Sequence, residues 1–151
     1  MIYFANPKSE YVLLKKKINK KISDVLNSNS YILGNEVTTF ENKFSKYLGL
    51  KYSVGVSNGT DALILSLKAT NLKNGDEVIT TSHTAYATVA AIVEAGGKPV
   101  FVDIKEDDFN MNVNDLKKKI TKKTKAIIVV HLYGNPADIV EISSLAKKNK
   151  I

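Results

Sequence analysis

From Lys51 onward, short apolar runs alternate with amphipathic stretches. Lys51–Val56, Glu77–Thr81, Val100–Ile104 and Lys125–His131 read as strands. The last of these holds the uninterrupted run Ala126-Ile-Ile-Val-Val130. Thr60–Ala69, Thr84–Ala95, Val113–Ile120 and Pro136–Lys148 read as helices between and after them, with Pro136 near the first turn of the last. Unbroken β-branched runs indicate strands covered on both faces. Strands that alternate with helices pair in parallel. The expected fold is a three-layer α/β domain with a mostly parallel sheet.

The first 50 residues follow a different pattern. Glu10–Asn27 is a lysine-rich helix whose apolar face is Val12, Leu13, Ile18, Ile22 and Val25/Leu26. Ser28–Glu36 has turn character, and Val37–Leu48 is a second helix ended by Gly49. The expected organisation is therefore a helical segment over 1–50 and an α/β domain over 51–151. Lys148–Ile151 falls where a further strand should begin, and a sheet that stopped there would keep an unpaired edge. On this reading the chain is the N-terminal portion of a larger domain.

Composition narrows the chemistry. The chain has no cysteine, which excludes disulfides, thiolate metal sites and a cysteine nucleophile. No stretch approaches the roughly 20 apolar residues that cross a bilayer, and Met1–Glu10 lacks a secretory pattern. A cytoplasmic protein without a membrane partner is the expectation. The formal charge is +7, and all 22 basic residues are lysines. They lie in helical runs such as Lys15–Lys17 and Lys117–Lys119, not among stacking aromatics. Arginine, the side chain best suited to reading bases and phosphates, is absent. Nucleic acid is therefore not an expected partner.

One segment carries ligand chemistry. Val54-Gly-Val-Ser-Asn-Gly-Thr-Asp-Ala-Leu63 passes from the expected strand through Gly59 into a helix. A helix N-terminus offers free N–H groups and partial positive charge, which suit a phosphate. Gly59 permits close approach of an anion. Thr60 adds a hydroxyl, and the N–H groups of Thr60 and Asp61 are expected to open to one cleft. On spacing alone, helix capping by Ser57, Asn58 and Thr60 is the better account of the same residues. The segment is neither a Walker loop nor a dinucleotide fingerprint.

Ser57-Asn-Gly-Thr-Asp-Ala-Leu63 resembles the phosphate-binding turn of the DegT/DnrJ/StrS-type PLP-dependent nucleotide-sugar aminotransferases. Three more stretches agree in order and spacing. They are Gly34-Asn-Glu-Val-Thr-Thr-Phe-Glu-Asn-Lys-Phe44, the block from Ser82 to Ile104 containing Gly96-Gly-Lys-Pro-Val-Phe-Val-Asp103, and His131-Leu-Tyr-Gly-Asn-Pro-Ala-Asp138. The resemblance implies the N-terminal portion of a fold-type-I PLP-dependent transferase large domain. It implies pyridoxal 5'-phosphate as cofactor, a nucleotide-linked keto-sugar and an amino donor such as glutamate as substrates, and a homodimer.

By the same resemblance Gly59, Thr60 and Asp61 hold the cofactor phosphate, and Thr84 and Ala85 lie at its ring. The family commonly has an aromatic residue at the position of Ala85. Here the aromatic is Tyr86, one place later, and it either reaches the ring or packs at the start of the helix. His131 and Asp103 read as structural residues, a hydrogen-bonded histidine and a turn cap. The Schiff-base lysine and the aspartate facing the pyridine nitrogen are expected beyond Ile151, so no catalytic residue is assigned within the chain. A sugar dehydratase of the same family and a non-catalytic phosphate-binding module are the competing readings.

Overall fold

The computed structural model describes residues 4–151. The chain forms two compact units that divide between Gly55 and Val56.

The first unit contains two helices, α1 (Pro7–Asn27) and α2 (Asn35–Tyr47). Proline opens α1, where a missing N–H costs nothing. No residue of α1 is buried, and Leu13 and Leu26 of its apolar face are 85% and 60% exposed. Lys21 of α1 pairs with Glu36 of α2 at 2.9 Å. Helix α2 ends as its sequence requires. Gly49 takes φ +68°, and the N–H groups of Leu50 and Gly49 return to the carbonyls of Ser45 (2.8 Å) and Lys46 (3.2 Å). This is a Schellman closure, which glycine enters without strain.

The expected strand over Lys51–Val56 does not form. Among the described residues no strand pairs with it, and β propensity without a partner makes no ladder. Within it, the Ser53 hydroxyl donates to the Glu41 carbonyl (2.6 Å) and the Gly55 N–H to the Glu41 carboxylate (2.7 Å).

The second unit is a parallel three-stranded sheet with helices on both faces. In chain order it contains α3 (Gly59–Ala69), β1 (Glu77–Thr81), α4 (Tyr86–Glu94), β2 (Lys98–Val102), α5 (Val113–Lys119), β3 (Thr124–Ile127) and α6 (Ile139–Asn149). The spatial order is β2-β1-β3, with both pairings parallel. Central β1 places Ile79 opposite Val100 on one side and Ile127 on the other. Val78 and Ile79 are both fully buried, but toward opposite faces. Val78 joins Leu67 of α3 and Ile92 of α4, while Ile79 joins Leu116 of α5 and Ile142 of α6. That alternation produces the three layers.

Several boundaries differ from the sequence pattern; β2 runs Lys98–Val102, two residues ahead of the expected Val100–Ile104. Strand β3 stops at Ile127; Ile128–Val130 continue half-buried, with one further bond from Ile128 N–H to the Ile79 carbonyl (2.8 Å). Helix α4 starts at Tyr86, with extended Ala85 as its cap residue. Helix α6 starts at Ile139, not near Pro136. Asn135 is extended (ψ 119°), as the residue before a proline prefers, so Pro136 lies in a turn ahead of the helix. Among the described residues, no helix is long and apolar enough to cross a membrane.

Candidate phosphate site

The turn before α3 settles which residue caps the helix. Asn58 is extended (φ −163°, ψ 175°), and its Oδ1 accepts the N–H of Asp61 at 2.9 Å. Its own carbonyl accepts the first intrahelical bond, from Ala62 (3.1 Å). Asn58 is therefore the N-cap, a role that asparagine fills well. The expectation of a free Asp61 N–H is corrected, because Asn58 occupies it. The Asp61 carboxylate receives the Ser57 hydroxyl and the Asn58 amide (3.1 Å), so it fastens the turn.

Two donors remain. Among the described residues, the N–H groups of Gly59 and Thr60 have no hydrogen-bond partner, nor has the Thr60 hydroxyl. They stand at the positive end of an 11-residue helix. Gly59 is exposed, lies outside the left-handed region, and a Cβ built on it meets nothing within 4 Å. The fold of this chain does not require glycine there. Open space beside two free N–H groups accepts a phosphate oxygen at close range, so these residues fit a phosphorylated cofactor.

The expected single cleft is in fact two. Thr60 lines an apolar groove between α3 and α4 with Ile64, Tyr86, Val89 and Val93. Ser57 and Asp61 line an adjoining hollow with Val56, Leu65 and the shared Ile64. Tyr86 is 87% exposed, so it does not pack into the core at the start of α4. Thr60 and Tyr86 are thus brought together, whereas Thr84 and Ala85 are not among the residues lining that groove. The Thr84 hydroxyl bonds the buried Thr88 hydroxyl at 2.8 Å, and Ala85 is exposed.

Asp103 behaves as a turn residue. Its carboxylate accepts the N–H of Ile104 (2.8 Å), and its own N–H donates to Asp115 (2.9 Å). His131 lies outside β3 and is exposed; its Nδ1 accepts the Ala137 N–H at 3.0 Å. This assigns the ring proton of the neutral form to Nε2.

The sequence pattern did not single out two further groups. Lys105 bridges Asp108 (2.7 Å) and Asp138 (3.0 Å), joining the loop after β2 to the start of α6. Hydrogen bonds to those two carboxylates hold the Lys105 ammonium above its usual range, and the bond to Lys105 holds Asp108 below its own. The second group is a cluster of three rings. His83 meets Phe109 and Tyr133 edge-on, each with centroids 6.1 Å apart. A ring in each loop after a parallel strand was the available signal, because α/β ligands collect at those strand ends. No group of three or more potential metal ligands occurs among the described residues.

Comparison with known proteins places this geometry in context. Residues 12–151 match the DegT/DnrJ/EryC1/StrS aminotransferase family. A dTDP-3-amino-3,6-dideoxy-alpha-D-galactopyranose transaminase from Aneurinibacillus thermoaerophilus is 43% identical over 98% of this chain and 41% of its own length. The crystal structure of S. venezuelae DesV in complex with a ketimine intermediate superposes with a TM-score of 0.95 at 37% identity, covering 99% of this chain and 40% of that one. An E. coli GDP-4-keto-6-deoxy-D-mannose-3-dehydratase with bound hydrated PLP gives a TM-score of 0.79 at 34% identity, over 88% of this chain and 36% of that one. The chain spans about two fifths of the length of the relatives it matches.

Proposed function

Because the chain belongs to the DegT/DnrJ/EryC1/StrS aminotransferase family, we propose that it forms the phosphate-holding part of a pyridoxal-phosphate-dependent enzyme that transfers an amino group to a nucleotide-linked keto-sugar. The observation that carries this reading is the pair of unpartnered N–H groups at Gly59 and Thr60, left open while Asn58 caps the third. Residues 51–151 are the first part of the cofactor-binding domain in this reading, residues 1–50 are a helical segment before it, and the complete enzyme is a cytoplasmic homodimer.

Each residue has a role at a stated atom. The N–H groups of Gly59 and Thr60 and the Thr60 hydroxyl donate to the cofactor phosphate, with the α3 dipole adding to the attraction. Asp61 contributes no donor; with Ser57 and Asn58 it keeps the turn rigid. Tyr86 shares the groove of Thr60 and is the available aromatic beside it, in place of a ring at Ala85. Thr84 is oriented through Thr88. When bound, the cofactor supplies the carbonyl and the electron sink that amino transfer requires. The lysine that bonds it and the aspartate that keeps its ring protonated belong, by family resemblance, to sequence following Ile151.

Sugar dehydration is the second reading, favoured by the match to the dehydratase. The identity of the residue at the lysine position separates the two. Borohydride reduction of the complete protein loaded with PLP tests the assignment. One labelled lysine outside residues 1–151, together with amino transfer from glutamate to a nucleotide-linked keto-sugar, is the expected outcome. A single stoichiometric adduct on one of this chain's own 22 lysines would overturn it.

A further inference from the structure

Each of the three parallel strands is followed by a loop that delivers one ring to the same place. His83 follows β1, Phe109 lies in the loop after β2, and Tyr133 lies in the turn after β3. His83 stands between the other two, with interplanar angles of 72° to Phe109 and 81° to Tyr133. The cluster does not belong to the core, since Phe109 is 46% and Tyr133 86% exposed.

The backbone beneath the rings is strained. Phe109 and Tyr133 adopt φ of 58° and 53°, the left-handed region that bulky side chains avoid. Such conformations persist where surrounding contacts over-determine them, and they gather at functional sites. The contacts are present here. Asn110 is 1% exposed, and either orientation of its amide bonds the turn after β3. With nitrogen facing the carbonyls of Val130 (3.2 Å) and Asn135 (3.3 Å), all its polar atoms face complementary partners. His131 closes the same turn through Ala137, and Lys105 ties both loops together through Asp108 and Asp138. A clasp centred on the buried Asn110 thus holds a tyrosine at an unfavourable φ with its ring in solvent. Folding gains little from that arrangement, whereas a ligand that covers the ring does.

The surroundings indicate the kind of ligand. The loop leading to Phe109 carries Glu106, Asp107 and Asp108, a poor neighbour for a diphosphate. Exposed ring faces pack against the C–H face of a pyranose, and a histidine and carboxylates bond its hydroxyls. His83 immediately precedes Thr84, the residue that family resemblance places at the cofactor ring. We propose that His83, Phe109 and Tyr133 form the platform that receives the sugar ring of the substrate, as distinct from its nucleotide. This rests on the reading that the complete enzyme binds a nucleotide-linked sugar.

The test uses the complete, cofactor-loaded protein and calorimetric titration with UDP-, dTDP- and GDP-glucose, each against its bare nucleoside diphosphate. Tyr133→Asn removes the ring yet keeps a residue that tolerates left-handed φ, and His83→Ala is the second variant should the first misfold. Both should weaken the preferred nucleotide-sugar about tenfold and leave the bare diphosphate within about twofold, with PLP content unchanged; Tyr133→Phe should bind as wild type. Wild-type binding with indifferent variants, or equal loss for sugar and diphosphate, overturns the platform alone. A wild-type protein that binds none of these nucleotides, sugar-linked or bare, overturns the parent reading and the platform with it.

Discussion

Asn58→Ala and Thr60→Val separate the cap of α3 from the ligand site. Asn58 Oδ1 is the acceptor that satisfies the Asp61 N–H, at 2.9 Å. Its loss should lower stability by about 1 kcal/mol, within the range of roughly 0.5–2 measured for N-caps. For a domain of about 150–250 residues that is a fall of roughly 2–4 °C in melting temperature. The Thr60 hydroxyl makes no hydrogen bond to the described residues, and its groove is lined by Ile64, Val89 and Val93. A methyl group in its place is tolerated there, so Thr60→Val should leave stability within about 0.5 kcal/mol. Its effect falls on the cofactor. A hydrogen bond to an ionised acceptor is worth roughly 1.5–3 kcal/mol, so PLP affinity should drop about ten- to a hundredfold. Asn58→Ala should leave that affinity within about threefold, because the Gly59 and Thr60 donors are intact. The assay is a PLP titration of both variants in the complete protein beside their melting curves. A Thr60→Val protein that melts as low as Asn58→Ala and binds PLP like wild type would refute the division of labour.

Two further predictions concern the fold. A Cβ at Gly97 would stand 2.9 Å from Leu72 Cδ2, 3.1 Å from Val78 Cγ2 and 3.3 Å from Ile92 Cγ2. Gly97→Ala should therefore cost about 1–3 kcal/mol of overpacking in denaturant titrations; an unchanged midpoint would show that the α3–α4 face is loosely packed. The Lys105 clasp has a defined pH window. Asp108 lies below its ordinary value of 3.8, so its contribution is present above that value and fades as pH falls through the lower folded one. Lys105 lies above its ordinary value of 10.5, so its contribution is present below that value and fades as pH rises through the higher folded one. The difference in melting temperature between wild type and Lys105→Met should hold from about pH 5 to 9 and shrink below about pH 4; a difference independent of pH would mean that Lys105 acts through packing.

The second unit was legible in sequence where burial is two-sided. Glu77–Thr81 was placed without error because β1 has a strand on each side and a helix layer on each face, so its β-branched run Val78-Ile-Thr-Thr81 is buried throughout. Lys51–Val56 carries similar β propensity, but a strand also needs a partner, which periodicity does not report. The start of α6 was misplaced for a related reason. Proline marks a first helical turn or the turn ahead of it, and here the contacts of Asn110 and His131 decide for the turn. At the candidate site, the turn motif located the unpartnered N–H groups to within one residue. It could not say which side chain caps, because Ser57, Asn58 and Thr60 are all suitable. The His83–Phe109–Tyr133 cluster was not assembled from sequence, although each loop offered a ring, since its members are 26 and 24 residues apart and meet only through the parallel sheet.

The central claim is that the N-terminus of α3 holds the cofactor phosphate, and a crystal structure of the complete protein grown with PLP tests it most directly. Phosphate oxygens should lie about 2.7–3.2 Å from the backbone nitrogens of Gly59 and Thr60, with the Thr60 hydroxyl as a third donor and Asn58 still bonded to Asp61 N–H. A phosphate bound elsewhere, with Gly59 and Thr60 facing water, would contradict the account.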